Sequence, residues 1–124
     1  MKMISKYFSV VLILLAAQVS ALTEADYVND NCKGQIEYTL PDLTRVDCLT
    51  ETHAIEYDYD YKWAEAIGQS LYYASQTGKK AGIVLICRNN NNCQRYIDRI
   101  NAVLLAYNLS IDIWIVSKTR IPLE

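Results

Sequence analysis

Residues 47–73 read DCLTETHAIEYDYDYKWAEAIGQSLYY, and the change of period inside this stretch decides the fold. From His53 to about Tyr59 the side chains alternate. Ala54, Glu56, Asp58 and Asp60 share one face and Ile55, Tyr57 and Tyr59 the other, which is the pattern of a strand. From Lys62 to Ala74 the period lengthens. Trp63, Ala66, Ile67, Tyr73 and Ala74 return at helical spacing, and Gly78 after Gln76-Thr77 supplies a helix stop. Ala81 to Cys87, apolar throughout, then reads as a strand buried on both faces. A strand, a helix and a second strand in that order predict a right-handed crossover if the two strands run parallel.

Working toward the N-terminus, Gln35 to Leu40 and Arg45 to Thr50 each suit a strand. Pro41-Asp42-Leu43-Thr44 between them has turn chemistry, so the pair reads as a hairpin. Thr23-Glu24-Ala25-Asp26 resembles a capping box and opens a short helix seated by Tyr27 and Val28. Toward the C-terminus, Asn91 to Tyr107 is helical and Leu109 to Val116 alternates as a final strand. The expected order is αβββαβαβ, an α/β domain with a central mixed sheet flanked by helices. The chain contains no internal repeat, Gly-rich phosphate loop, nucleophile elbow or H-E-x-x-H.

Residues 1–21 stand apart from this domain. Lys2 and Lys6 precede the apolar run Val10 to Ala17, and Val19-Ser20-Ala21 offers small residues for cleavage, the pattern of a secretory signal peptide. The run is shorter than the roughly 20 residues of a bilayer-spanning helix, so no stable membrane anchor is expected after cleavage. A single domain, 22–124, is then expected outside the cytoplasm, secreted or periplasmic. Of the 12 basic and 14 acidic residues, removal of Lys2 and Lys6 leaves 10 against 14, a net charge of −4. That balance disfavours a non-specific binder of long nucleic-acid tracts.

Export turns the four cysteines toward bridges. Cys32, Cys48, Cys87 and Cys93 allow three pairings. Cys87 closes a strand and Cys93 opens a helix after a short polar loop, so a local Cys87–Cys93 bridge is easy and leaves Cys32 with Cys48. Zinc is disfavoured, because there is no C-x2-C knuckle and the sole histidine is His53.

The chemistry-bearing residues lie in the opening stretch. Asp47 on the second strand and Glu56 on the third can project from one sheet surface where antiparallel neighbours diverge. Two such carboxylates repel unless one is protonated or a hard cation such as magnesium sits between them. A magnesium ion so held polarises a phosphoryl oxygen and lowers the pKa of a bound water.

This arrangement resembles the PD-(D/E)XK nuclease superfamily, with its restriction-endonuclease-like αβββαβ core, Asp on the second strand and Glu-x-Lys on the third. The resemblance covers roughly residues 23–117 and implies a metal-dependent nuclease acting on DNA or RNA. Asp47 and Glu56, joined by Asp58, would hold magnesium, or manganese in its place. Asp58 stands where the family has its lysine, an electrostatic contributor to the transition state. Lys62, in the triplet Asp60-Tyr61-Lys62, is the residue able to reach back in its stead. Gln69-x-x-x-Tyr73 is similar to the Gln-x-x-x-Tyr element of the exonuclease branch and implies a strand-orienting role for Gln69.

Each residue also has a plainer reading. Asp47, Glu56 and Asp58 suit a solvated acidic edge as well, and Glu37 an exposed face of the first strand. Gln69 equally suits a buried bond to the sheet edge. Tyr57, Tyr59 and Tyr61 suit cross-strand packing as well as base stacking. His53 and the Lys79-Lys80 pair are read outside the chemistry, and a helical face of Arg88, Arg95 and Arg99 is the one basic cluster suited to a phosphate backbone. On these plainer readings the chain is an exported binding module with a vestigial acidic pocket.

Overall fold

Residues Lys80–Cys87 form an interior strand of the sheet, flanked by strands on both edges, and Ala81 to Cys87 are buried, as their unbroken apolar character requires. The computed structural model describes residues 22–117, so the signal-peptide segment and the last seven positions of the expected domain lie outside the described residues. In chain order the elements are α1 (Glu24–Asn31), β1 (Gln35–Thr39), β2 (Arg45–Leu49), β3 (His53–Tyr59), a 3-10 turn (Asp60–Lys62), α2 (Trp63–Thr77), β4 (Lys80–Cys87), α3 (Asn90–Tyr107) and β5 (Ile111–Ser117). The strands lie in the order β1-β2-β3-β4-β5 as one open mixed sheet. β1, β2 and β3 pair antiparallel, while β3 with β4 and β4 with β5 pair parallel.

The two sheet faces are covered unequally. α2 and α3 pack Ala66, Ile67, Tyr96 and Ile100 against Ile83 and Leu85 on one face. Two successive crossovers of the same hand, each stepping one strand further, must leave their helices on the same side. The opposite face, Cys48, Ile55, Tyr57, Val84 and Ile86, is covered by Tyr27 and Val28 of the eight-residue α1. One short helix cannot span that face, and a cleft of about 320 Å³ remains between Ile55, Val84 and Trp114.

Local signals set the element ends. Thr23 caps α1 reciprocally with Asp26: Thr23 N–H donates to Asp26 Oδ2 at 2.7 Å and Asp26 N–H to Thr23 Oγ1 at 3.3 Å. Gly78 ends α2 in the left-handed region, φ 68°, where a Cβ is unfavourable. Two disulfides, Cys32–Cys48 and Cys87–Cys93, tie the end of α1 to β2 and the end of β4 to the first turn of α3. Among the described residues no helix is long and apolar enough to cross a membrane. Two sequence expectations shift. Leu109 falls in the turn before β5, and Arg88 precedes α3 instead of lying on its face. Pairing of β4 with β5 starts only at Ala81 and Ile111, and the Cys87–Cys93 bridge begins the helix after Arg88.

Candidate active site

The β2–β3 ladder runs through Leu49↔Ala54 and Cys48↔Ile55 and goes no further. One more step of that register sets Asp47 opposite Glu56, at the point where the strands part. The Asp47 side chain takes over there: its Oδ2 accepts the Tyr57 N–H at 2.8 Å, a donor the ladder no longer uses. On its other side Asp47 lies opposite Glu37, between the pairs Ile36↔Cys48 and Tyr38↔Val46. Glu37 has φ 52°, so β1 is bent at this position. Three acids therefore lie in one row across three strands.

Burial divides the row. Glu37 is exposed and pairs loosely with Arg45 at 3.4 Å. Asp47 is half-buried, whereas Glu56 and Asp58 are only 6% and 3% exposed, so the reading of a solvated acidic edge fails for them. Glu56 Oε2 and Asp58 Oδ2 are buried with no hydrogen-bond partner. Burial pushes the Glu56 carboxyl up to about 10, and the charges of Asp47 and Asp58 push the same way. Glu56 keeps its proton at neutral pH and shares it with Asp47 in a hydrogen bond. Burial also raises Asp47, against the opposing bond from Tyr57.

Asp58, two residues along β3, belongs to a second locus. Burial raises it to about 7, Glu24 on α1 adds to the rise, and Lys62 opposes it. Lys62 Nζ donates to Glu24 Oε1 at 2.9 Å. The lysine is thus turned toward α1 and acts on Asp58 through its charge. Glu24 is the residue that sequence reasoning missed. Its only signal was a place in the first turn of a capped helix, which says nothing about which strand that helix crosses.

α2 lies along the same acids. Glu65 acts on Asp58, and Tyr73 is raised to about 12 by burial, with Glu56 and Asp47 adding to the rise. Gln69 lies one turn from each along the same side of α2. A cleft of about 390 Å³ opens between α1 and β1, lined by Glu24, Ala25, Val28, Asn29, Ile36, Glu37 and Asp47. Glu56, Asp58, Lys62 and Gln69 lie behind it and do not line it.

The donor set suits a hard cation in kind, being carboxylate oxygens with two buried atoms unpartnered. Among the described residues no three His, Cys, Asp or Glu side chains form an assembled ligand group. The arrangement is a proton-sharing pair, Asp47–Glu56, beside a separate Asp58–Lys62–Glu24 cluster.

The remaining candidates lie elsewhere. Asp60, 1% exposed, accepts from Tyr61 N–H and from the Arg88 backbone and guanidinium, so it is structural. Tyr57 is core, and Tyr59 donates to the Leu22 carbonyl. His53 lies against Asp112 at 2.6 Å and edge-on to Trp114, and Lys79 Nζ donates to the Glu51 carbonyl, both outside the acid row. Comparison of the chain with protein-family models, with curated proteins and with solved structures returned no match.

Proposed function

We propose that the protein is a metal-dependent phosphodiesterase of the PD-(D/E)XK kind, acting on nucleic acid outside the cytoplasm. The observation that carries this reading is Glu56, buried, with one carboxylate oxygen unpartnered and Asp47 beside it. A protein that leaves two carboxyls in this state holds either a proton or a cation between them. Support also comes from the run of elements α1-β1-β2-β3-α2-β4, with Asp47 on the second strand, Glu56 on the third and the Gln69–Tyr73 stripe on the following helix.

In this reading Asp47 and Glu56 would hold magnesium, or manganese, with Asp58 as the third candidate carboxylate. Bound there, the ion supplies Lewis acidity toward a phosphoryl oxygen. Lys62, kept charged by Glu24, offsets negative charge that develops on the reacting phosphate. Gln69 orients the strand from α2. The two disulfides suit an oxidising compartment.

Incubation with single- and double-stranded DNA and RNA, with magnesium or manganese, tests the proposal. Cleavage is expected, and Asp47→Asn and Glu56→Gln should each abolish it. No cleavage with either metal, or cleavage indifferent to both substitutions, overturns the reading. One observation favours a second reading, an exported binding module: Asp58 stands at the lysine position and the acids form two loci instead of one ligand group. That reading requires a thermal midpoint indifferent to magnesium.

A further inference from the structure

Beyond the acid row, Arg95 and Arg99 on α3 and Arg88 just after β4 are laid on aromatic rings. The Arg99 guanidinium lies 5.9 Å from the Trp63 ring centre and 5.5 Å from that of Tyr96. Arg95 lies 4.8 Å from the Tyr96 ring and donates to its hydroxyl at 2.9 Å. Arg88 covers Tyr61 at 4.2 Å, but Asp60 neutralises it. Among the described residues neither Arg95 nor Arg99 has a carboxylate partner, and the neighbouring acid Asp98 takes its hydrogen bond from Gln94 at 2.8 Å. Two exposed guanidinium charges are thus held in place by rings and left without a counterion.

The spacing and location of these charges narrow what they can hold. Arg95 and Arg99 are four residues apart on α3, about 6 Å along its axis, a separation that two neighbouring phosphates of one strand can match. Arginine is suited to such contacts because its planar fork donates to two oxygens at once. Tyr61, 49% exposed, carries Arg88 over its ring and stacks on Tyr59 with ring centres 6.1 Å apart. Trp63, beneath Arg99, directly follows Lys62 in the chain. Lys62 Nζ is 6.0 Å from the Tyr61 ring centre, and the same residue acts on Asp58.

We infer that Arg95 and Arg99 form a surface that grips the phosphate backbone of a single-stranded polynucleotide. The inference names the substrate class for the acid row and rests on the phosphodiesterase reading. A single strand fits better than a duplex because the chain, with a formal net charge of −2, offers only two unspent arginines here to neutralise phosphates.

The test is binding without cleavage: fluorescence anisotropy of a labelled oligothymidylate of about 12 nucleotides, in EDTA. Two phosphate contacts predict a slope of log K against log salt of roughly −1.4, about 0.7 per phosphate on a single strand. Arg95→Ala with Arg99→Ala should flatten that slope and weaken binding by roughly tenfold or more. The Arg95→Lys, Arg99→Lys pair, which keeps both charges, should retain the slope and shows that a loss is not a folding defect. Absence of binding, an unchanged slope in the alanine pair, or equally effective competition by polyglutamate each overturn the inference. If the alanine pair still binds while Asp47→Asn abolishes cleavage, the arginine surface falls and the phosphodiesterase stands. Binding through the arginines with no cleavage under any metal does the opposite: the gripping surface stands and the phosphodiesterase falls.

Discussion

The Glu56→Gln substitution should stabilise this protein, and only above the pH at which an ordinary glutamate ionises. In the unfolded chain Glu56 titrates near its ordinary value of 4.5, whereas in the folded protein burial and two neighbouring acids hold it at about 10. Between those values the folded state carries one more proton than the unfolded state. Stability therefore falls as pH rises, by about 1.4 kcal/mol per pH unit for this group. From pH 4.5 to pH 7 the loss reaches about 3 kcal/mol, a large fraction of what holds a domain of this size folded. Glutamine keeps the shape and donates an amide hydrogen to Asp47 where the shared proton now lies, and it has no charge to gain on unfolding. Urea denaturation in EDTA should give nearly equal stabilities for the two proteins at about pH 4, with glutamine ahead by up to about 3 kcal/mol at about pH 7. Parallel pH profiles for the two proteins would refute the reasoning. On the proposed metal-binding reading, magnesium should narrow the gap from the parent side alone, because the ion would replace the proton and bind only the folded state.

Three further outcomes are expected. Lys62→Gln removes a cation acting on Asp58 and frees the Glu24 charge, so the Asp58 carboxyl should titrate above its present value of about 7; carbon NMR of the carboxyls reads this, and a downward or absent shift counts against the Lys62 placement. Asp60→Ala strips the acceptor from Tyr61 N–H, Arg88 N–H and the Arg88 guanidinium and should cost about 2–4 kcal/mol in chemical denaturation. Replacing Cys32 and Cys48 by serine opens a link between residues 16 apart and should cost about 3 kcal/mol. Because that bridge holds α1, which carries Glu24, the same variant should also shift the Asp58 titration.

Much of the fold was legible because its signals are local. The period change between Tyr59 and Trp63, the all-apolar 81–87 run, the Pro41–Thr44 turn and the Gly78 stop each specify an element from neighbouring residues alone. The site was legible in part. Strand positions place Asp47 and Glu56 opposite one another once the hairpin register is known, but register is a tertiary fact, and so is the end of the β2–β3 ladder that turns Asp47 toward Tyr57 N–H. The depth of Glu56 and Asp58 was not legible, because alternation marks a face and cannot say that α2 covers it. Arg88, in line with Arg95 and Arg99 along the chain, is drawn off the helix by buried Asp60.

Asp60 supplies the comparison that gives the acid row its meaning. It is as deeply buried as Glu56 and Asp58, yet its two oxygens receive two backbone N–H groups and a guanidinium. The chain thus has a buried acid with full satisfaction a few residues from two that lack it. A buried polar atom without a partner costs about 1–3 kcal/mol, and more if charged, and an apolar residue of similar size at either position would avoid that loss. Folding alone gives no reason for Glu56 Oε2 and Asp58 Oδ2 to stand buried without donors, with a lysine charge acting on Asp58. Local departures from good packing chemistry of this kind concentrate where a protein does work on something else. On the proposed reading the missing partner is a cation, and the site would ask that it be positive, hard and small enough to displace one shared proton.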